Sequence, residues 1–144
     1  MTDNESAYVS HPIRGPLGAN ATKEDELANM QLAIDFAAQL RTAYPEVDFY
    51  VPAEHNEFVM TAFFEHDLSE DVVLKTDIII LKKRDFIVIF APESYISGGM
   101  KREIDAAIEA GIPVVYCETV DDIPRLRAVI ERLKASCVPK KVQN

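Results

Sequence analysis

The chain has 144 residues, the length of a single domain, and 48% of them are hydrophobic, which is enough for a buried core. Its formal net charge of −9 argues against nucleic acid or an anionic membrane as the main partner, because those surfaces require clustered Lys and Arg. No stretch has the length of a membrane span and no secretion signal opens the chain, so we expect a cytoplasmic location.

Short apolar runs alternate with longer segments of helical periodicity along the sequence. Strands are predicted at 7–10, 47–51, 85–90 and 113–117, and the last contains Cys117, which we expect to be a buried free thiol. Helices are predicted at about 23–41, from Asp67 or Ser69 to 83, from 97 to 111, and from Asp121 or Asp122 to 135. A short helix or turn is expected at 59–64, and flexible ends are expected at 1–6 and 139–144.

This alternation predicts one α/β domain over residues 1–144, with a doubly wound, mostly parallel sheet of the flavodoxin or Rossmann kind. Ligands of such folds bind beyond the carboxyl ends of the strands. The loops expected there are 11–18, 52–56 and 91–98.

Ser97, Gly98 and Gly99 open the helix after the third strand, and Glu103 lies about one turn inside it. Free amides at a helix start bind anions such as phosphate, and glycines allow close approach. The Ser-Gly-Gly stretch and Glu103 each have two interpretations that stay open. The Ser-Gly-Gly stretch is either a phosphate site or a plain helix cap. Glu103 is either a nucleophile or a surface residue that offsets the helix dipole.

The remaining candidates also have an ordinary interpretation beside a functional one. The ordinary interpretation of Asp67 is a helix cap and that of Tyr8 is a core residue, while Arg14 is either solvated or binds an anion. His11, Glu54 and His55 lie in ligand-side loops. No histidine pair has metal-ligand spacing such as H-x-H, and the sequence has no Walker A or dinucleotide fingerprint, so no metal or other cofactor is predicted.

Four stretches together resemble the nucleoside 2-deoxyribosyltransferase superfamily, and most closely its 2′-deoxynucleoside 5′-monophosphate N-hydrolase branch. They are YVSHPIRG (8–15), PAEHNE (52–57), FEHDL (64–68) and SGGMKREIDAA (97–107). They are similar to that branch's S-I-R-G loop, its T-E-H element, the D-L that opens a helix, and S-x-G-x-x-x-E. The order and spacing agree over roughly residues 7–118.

The resemblance implies an enzyme that cleaves the N-glycosidic bond of a nucleoside 5′-monophosphate and needs no cofactor. Glu103 would attack the sugar, Asp67 would assist proton transfer, and Tyr8 would orient Glu103 or the sugar. The nucleotide would be held by residues of the matching loops: Ser10, His11, Ile13, Arg14, Gly15, Glu54, His55, Ser97, Gly98 and Gly99. The resemblance also implies a homodimer or larger oligomer with shared active sites, and the apolar run 78–81 offers surface for it.

Several alternatives stay open. A second base as acceptor would make the enzyme a deoxyribosyltransferase. Asp105 stands where the superfamily has a glycine, and this departure allows a non-catalytic nucleotide-binding module. Another flavodoxin-like family is a third alternative. A receiver domain is disfavoured because Phe90-Ala91-Pro92 ends the third strand where an aspartate would be needed.

Overall fold

The computed structural model describes residues 4–57 and 70–143. The strands are β1 (Ser6–Ser10), β2 (Asp48–Tyr50), β3 (Phe86–Phe90) and β4 (Val114–Cys117). The α-helices are α1 (Lys23–Ala43), α2 (Glu70–Leu81), α3 (Gly98–Glu109) and α4 (Leu126–Gln143). Short 3₁₀ helices occupy Gly15–Asn20, Pro52–His55, Pro92–Ser94 and Val120–Arg125.

The four strands form one parallel sheet in the order β2-β1-β3-β4, which confirms the predicted doubly wound α/β fold. The chain moves outward from β1 to β2, then crosses back to place β3 on the other side of β1. The strand order therefore reverses between β1 and β3. In open parallel sheets, the crevice beyond the carboxyl ends of the strands at such a reversal is the usual ligand site.

Alternate residues of β1 face opposite sides of the sheet, as the period of two requires. Ala7 and Val9 face the large apolar core with α1 and α4, whereas Tyr8 faces the smaller core with α2 and α3. This smaller core also contains the fully buried residues Leu81 and Ile87. On the side of the sheet toward α2 and α3, the core therefore contains a polar strand residue, Tyr8, next to both helices.

The helix starts follow capping chemistry. At α1, Thr22 Oγ1 accepts from the Asp25 amide at 3.0 Å, and Asp25 Oδ2 accepts from the Thr22 amide at 2.8 Å. The sequence places the cap of the last helical segment at Asp121 or Asp122, and this is wrong. Thr119 caps it, because its side chain accepts from a backbone amide while Asp122 completes the capping box.

The ends of the described chain are more regular than expected. Ser6 already belongs to β1, because its amide donates to Asp85 Oδ2 at 2.8 Å, and Glu5 is buried beside it. At the other end, α4 continues through 139–143, where an irregular tail was expected. The short helix or turn expected at 59–64 and the cap at Asp67 or Ser69 lie outside the described residues. None of the helices described could cross a membrane, since none is both long and apolar enough.

Candidate active site

Glu103 occupies a core position of α3. The buried residues of this helix are Met100, Glu103, Ile104 and Ala107, which follow the helical spacing of an inward-facing stripe. Glu103 itself is only 6% exposed. A carboxylate at a core position is uncommon unless it has partners. The interpretation of Glu103 as a surface residue is therefore wrong, and its role as a nucleophile stays a prediction.

Two hydroxyls from β1 hold the Glu103 carboxylate. Tyr8 Oη donates to Oε2 at 2.5 Å, and Ser10 Oγ donates to Oε1 at 2.7 Å. Tyr8 and Ser10 are two residues apart on one strand, so their side chains point to the same face of the sheet. Ser10 is the last residue of β1. The carboxylate is therefore held at the carboxyl end of β1, where the strand order reverses.

Burial controls the protonation of this group. Desolvation raises the pKa of Glu103 from 4.5 to about 7, and the hydrogen bonds from Tyr8 and Ser10 offset part of that rise. The charge of Asp77 adds to the increase. The pKa of Tyr8 is raised well above 10, chiefly by burial and then by Glu103, so Tyr8 stays a donor at neutral pH.

Asp77 is a second acidic residue in this cluster, and the sequence analysis missed it. It lies four residues before the fully buried Leu81 and so shares the inner side of α2. Desolvation raises the pKa of Asp77 to about 6, with a partial offset from the Tyr8 hydroxyl. The sequence did contain a signal for this residue, because Asp77 falls at the helical spacing of the apolar residues of α2. The predicted catalytic residue Asp67 lies outside the described residues.

A small cavity of about 40 Å³ adjoins Asp77. Its walls come from the loops after β1 and β2 and from α1 and α2, and they comprise Ile13, Met30, Tyr50, Pro52, Ala53, Asn56, Val73 and Asp77. Tyr50 stacks on Tyr8 with ring centres 5.7 Å apart, and His55 stacks on Tyr50 at 4.7 Å. An aromatic column thus runs from the Glu103 partner to the exposed His55.

Ser97, Gly98 and Gly99 form the start of α3 as a helix cap, and the anion site expected there stays a prediction. Ser97 is the N-cap, and its Oγ accepts from the Met100 amide at 3.2 Å. A Cβ at Gly98 would meet no atom within 4 Å, and one at Gly99 would meet only Leu74, at 3.9 Å. The space beside Gly98 is therefore open, whereas the Cβ position of Gly99 is in van der Waals contact with Leu74. Arg14 is exposed in the loop after β1.

Other predicted ligand residues are engaged in the framework. Gly15 has φ +71°, and a Cβ there would approach Asn29 Nδ2 to 3.0 Å while that amide donates to the Ile13 carbonyl at 2.8 Å. Glu54 accepts from both terminal nitrogens of Arg41, at 2.5 and 2.6 Å. His11 is buried and accepts from a backbone amide. These side chains shape the loops.

A larger cavity of about 330 Å³ lies beyond β3 and β4. Its lining contains none of Tyr8, Ser10, Asp77 and Glu103, and Arg125 in its wall already bonds the Tyr116 carbonyl and lies 3.3 Å from Asp122. Asp77 lines the smaller cavity, whereas Tyr8, Ser10 and Glu103 line neither of the two, so we place the site at the cluster that these four residues form. Within residues 4–57 and 70–143, no group of three or more His, Cys, Asp or Glu could hold a metal ion.

Comparison with known proteins supports the fold. No family model and no curated protein matches the sequence. Among solved structures, the chain is similar to a conserved protein from Enterococcus faecalis V583, with a TM-score of 0.59 and 20% identity. The match covers 79% of this chain and 63% of that protein, so the chain spans less than two thirds of its length. At this identity the similarity shows a shared α/β fold.

Proposed function

We propose that the chain is a nucleotide N-glycosidase that hydrolyses a (deoxy)nucleoside 5′-monophosphate to the free base and the sugar phosphate. One observation carries the proposal: the buried Glu103 carboxylate is held by Tyr8 and Ser10 at the carboxyl end of β1, the end of the sheet where ligands of this fold bind. Burying a carboxylate in this way costs stability, and such costs concentrate at functional sites.

The reaction needs what Glu103 offers. Breaking the bond from C1′ to the base builds positive charge on the sugar, and a carboxylate in a poorly solvated site stabilises that charge. Glu103 attacks C1′, and the electron pair of the broken bond leaves with the base. Water then attacks C1′ of the glycosyl ester, and Glu103 is released. Tyr8 and Ser10 keep both carboxylate oxygens in position through these steps.

Asp77 is the described acid best placed for proton transfer. Its pKa is raised to about 6, so a protonated fraction persists near neutral pH that can donate to the leaving base, and the resulting carboxylate can take a proton from the attacking water. Asp77 also lines the small cavity between α1, α2 and the loops after β1 and β2. A catalytic role for Asp67, implied by the resemblance, stays a prediction.

The phosphate is assigned to the start of α3. Glu103 follows Ser97 by six residues, which is about 9 Å along a helix axis, a separation that suits a sugar and its 5′ ester. The amides of Gly98 and Gly99 point out of the helix start, and Lys101 and Arg102 are exposed in the same region. The resemblance to the hydrolase branch supports this assignment.

Asp105, the departure that motivates a non-catalytic module, is exposed on α3, whereas Glu103 is buried. The two side chains are two positions apart and lie on different sides of the helix. Asp105 therefore does not crowd the carboxylate, and this favours the enzyme over the module.

Chromatography tests the proposal. The protein is mixed with deoxynucleoside and ribonucleoside monophosphates, and free base is measured. We expect release with wild type and with Glu109→Gln, an exposed glutamate of the same helix, and at least about 10³-fold less with Glu103→Gln. Release only when a second base is added would indicate the transferase. Binding without release in wild type would contradict the enzyme and indicate the module.

We also propose a homodimer. Ile79 on α2 is 57% exposed and Ile108 on α3 is 64% exposed, on the two helices that cover the site. Large apolar side chains left on a surface are typical of interfaces when they cluster. A monomer in light scattering at micromolar concentration would contradict this assembly.

A further inference from the structure

We propose that His11 is a positioning residue: it fastens the loop after β2 to the loop after β1 and so sets the wall of the cavity that Asp77 faces. This proposal rests on the proposed function in one respect only, which is the identity of the ligand that the cavity binds. It differs from the contact with substrate that the resemblance implies for His11.

Both ring nitrogens of His11 face backbone groups. His11 follows the last residue of β1 and is 6% exposed. Its Nε2 accepts from the Ala53 amide at 3.1 Å, across 42 residues of sequence. Its Nδ1 lies 3.3 Å from the Pro12 carbonyl, which can only accept, so the proton is assigned to Nδ1. No ring nitrogen is left for a substrate.

The Ala53 amide needs this acceptor. Ala53 is in the first turn of the 3₁₀ helix Pro52–His55, where amides have no partner within the helix. Arg41 holds the same short helix from outside, since it bonds Glu54 and donates to the Phe49 carbonyl at 3.0 Å. His11 is the matching attachment on the inner side.

The attached segment forms part of the cavity wall. Pro52, Ala53 and Asn56 all line the cavity. Burial lowers the pKa of His11 to about 4, so the ring is neutral at physiological pH and keeps Nε2 as an acceptor. A protonated ring would place an N–H against the Ala53 amide.

Two substitutions at His11 distinguish the effect of its hydrogen-bond acceptor from the effect of the volume of its ring. In His11→Gln, the amide oxygen reaches the place of Nε2 and can accept from Ala53. In His11→Phe, the ring is kept and the acceptor is lost. Tyr44→Phe is the matched control, because it removes another buried bond from a side chain to the backbone, from Tyr44 Oη to the Ile123 carbonyl at 2.9 Å, on the other side of the sheet.

The experiment measures exchange of the Ala53 amide by NMR, together with the side-chain amide signal of Asn56. We expect exchange about ten-fold faster in His11→Phe, a moved Asn56 signal, and values near wild type in His11→Gln and Tyr44→Phe. For the nucleotide that wild type cleaves, KM should rise several-fold in His11→Phe while kcat is kept.

Equal exchange in wild type and His11→Phe, or an unmoved Asn56 signal, overturns the proposal, and so does an unchanged KM. If wild type cleaves no nucleotide, the proposed function fails. The Ala53 and Asn56 signals then still decide whether His11 positions the loop.

Discussion

The side of the sheet that packs against α1 and α4 is lined by apolar residues, whereas the side toward α2 and α3 buries Tyr8, Ser10 and Glu103. Both sides are built from alternate residues of the same strand, β1. The apolar side has Phe36 and Phe90 stacked with ring centres 4.2 Å apart. The polar side has an acid whose pKa is raised to about 7 by burial.

We infer from this contrast that the apolar side of the sheet supplies most of the stability, whereas the polar side serves the proposed function. The apolar side gains free energy from burial, at about 25 cal/mol for each Å². The polar side loses free energy when Glu103 ionises, since the hydrogen bonds from Tyr8 and Ser10 only partly offset desolvation. A chain that needed only a stable core would have placed an apolar residue at position 103. We infer that this side is kept polar for its chemistry.

The largest expected effect tests the apolar side. Phe36→Ala leaves a cavity beside Phe90 and should lower the free energy of unfolding by about 3–5 kcal/mol. Base release per folded molecule should stay within two-fold, because Phe36 does not touch the site. Urea denaturation measures the free energy of unfolding, and base release divided by the amount of folded protein measures the activity. A large fall in the kcat of the folded fraction would show that the apolar side of the sheet also contributes to activity, so that the two sides do not act independently.

The pH dependence of stability tests the polar side. The pKa of Glu103 is higher in the folded protein, about 7, than its ordinary 4.5, so the folded state binds more protons between these values. Stability should therefore fall as pH rises from 4.5 to 7, by up to about 3 kcal/mol from this group. Asp77 acts in the same direction.

The matched variant for this measurement is Glu103→Gln. Denaturation at a series of pH values should show a flatter curve for it and greater stability than wild type at pH 8. Equal slopes for the two proteins would mean that Glu103 titrates normally, against the burial seen here.

Asp77→Asn should lower kcat about 10²-fold, because the amide cannot exchange a proton with the base or water. The limb of the pH profile near 6 should disappear. The control is Asp71→Asn, an exposed position on α2 that pairs with Lys75. If both variants keep wild-type kcat, the acid lies elsewhere, and Asp67 becomes the next residue to substitute.

The smallest effect is expected from Ser10→Ala, which removes one of the two hydroxyls on Glu103. The loss of this hydrogen bond should reduce kcat about ten-fold and raise the pKa of Glu103 further, since the bond favours the charged carboxylate. A kinetic pH profile measures both. A lower apparent pKa in this variant would contradict the assigned direction of the hydrogen bond.

The sequence allowed most of the fold to be predicted, whereas the role of the residues around Glu103 stays a prediction. Apolar runs such as 86–90 located the strands to within one or two residues, and a glutamate after Ser-Gly-Gly marked α3. Asp77 was overlooked because its apolar neighbours Ile78, Ile79 and Ile80 suggested an interface. The bond from Ala53 to His11 spans 42 residues between two loops, and periodicity does not report side-chain directions in loops.

The central claim is that Glu103 bonds to the sugar during the reaction. Wild-type protein is mixed with a cleaved nucleotide, quenched in acid within one turnover, digested, and examined by mass spectrometry. We predict a peptide that carries one sugar phosphate on Glu103, and no such adduct with Glu103→Gln. Rapid base release by wild type with no adduct, together with undiminished release by Glu103→Gln, would contradict the account.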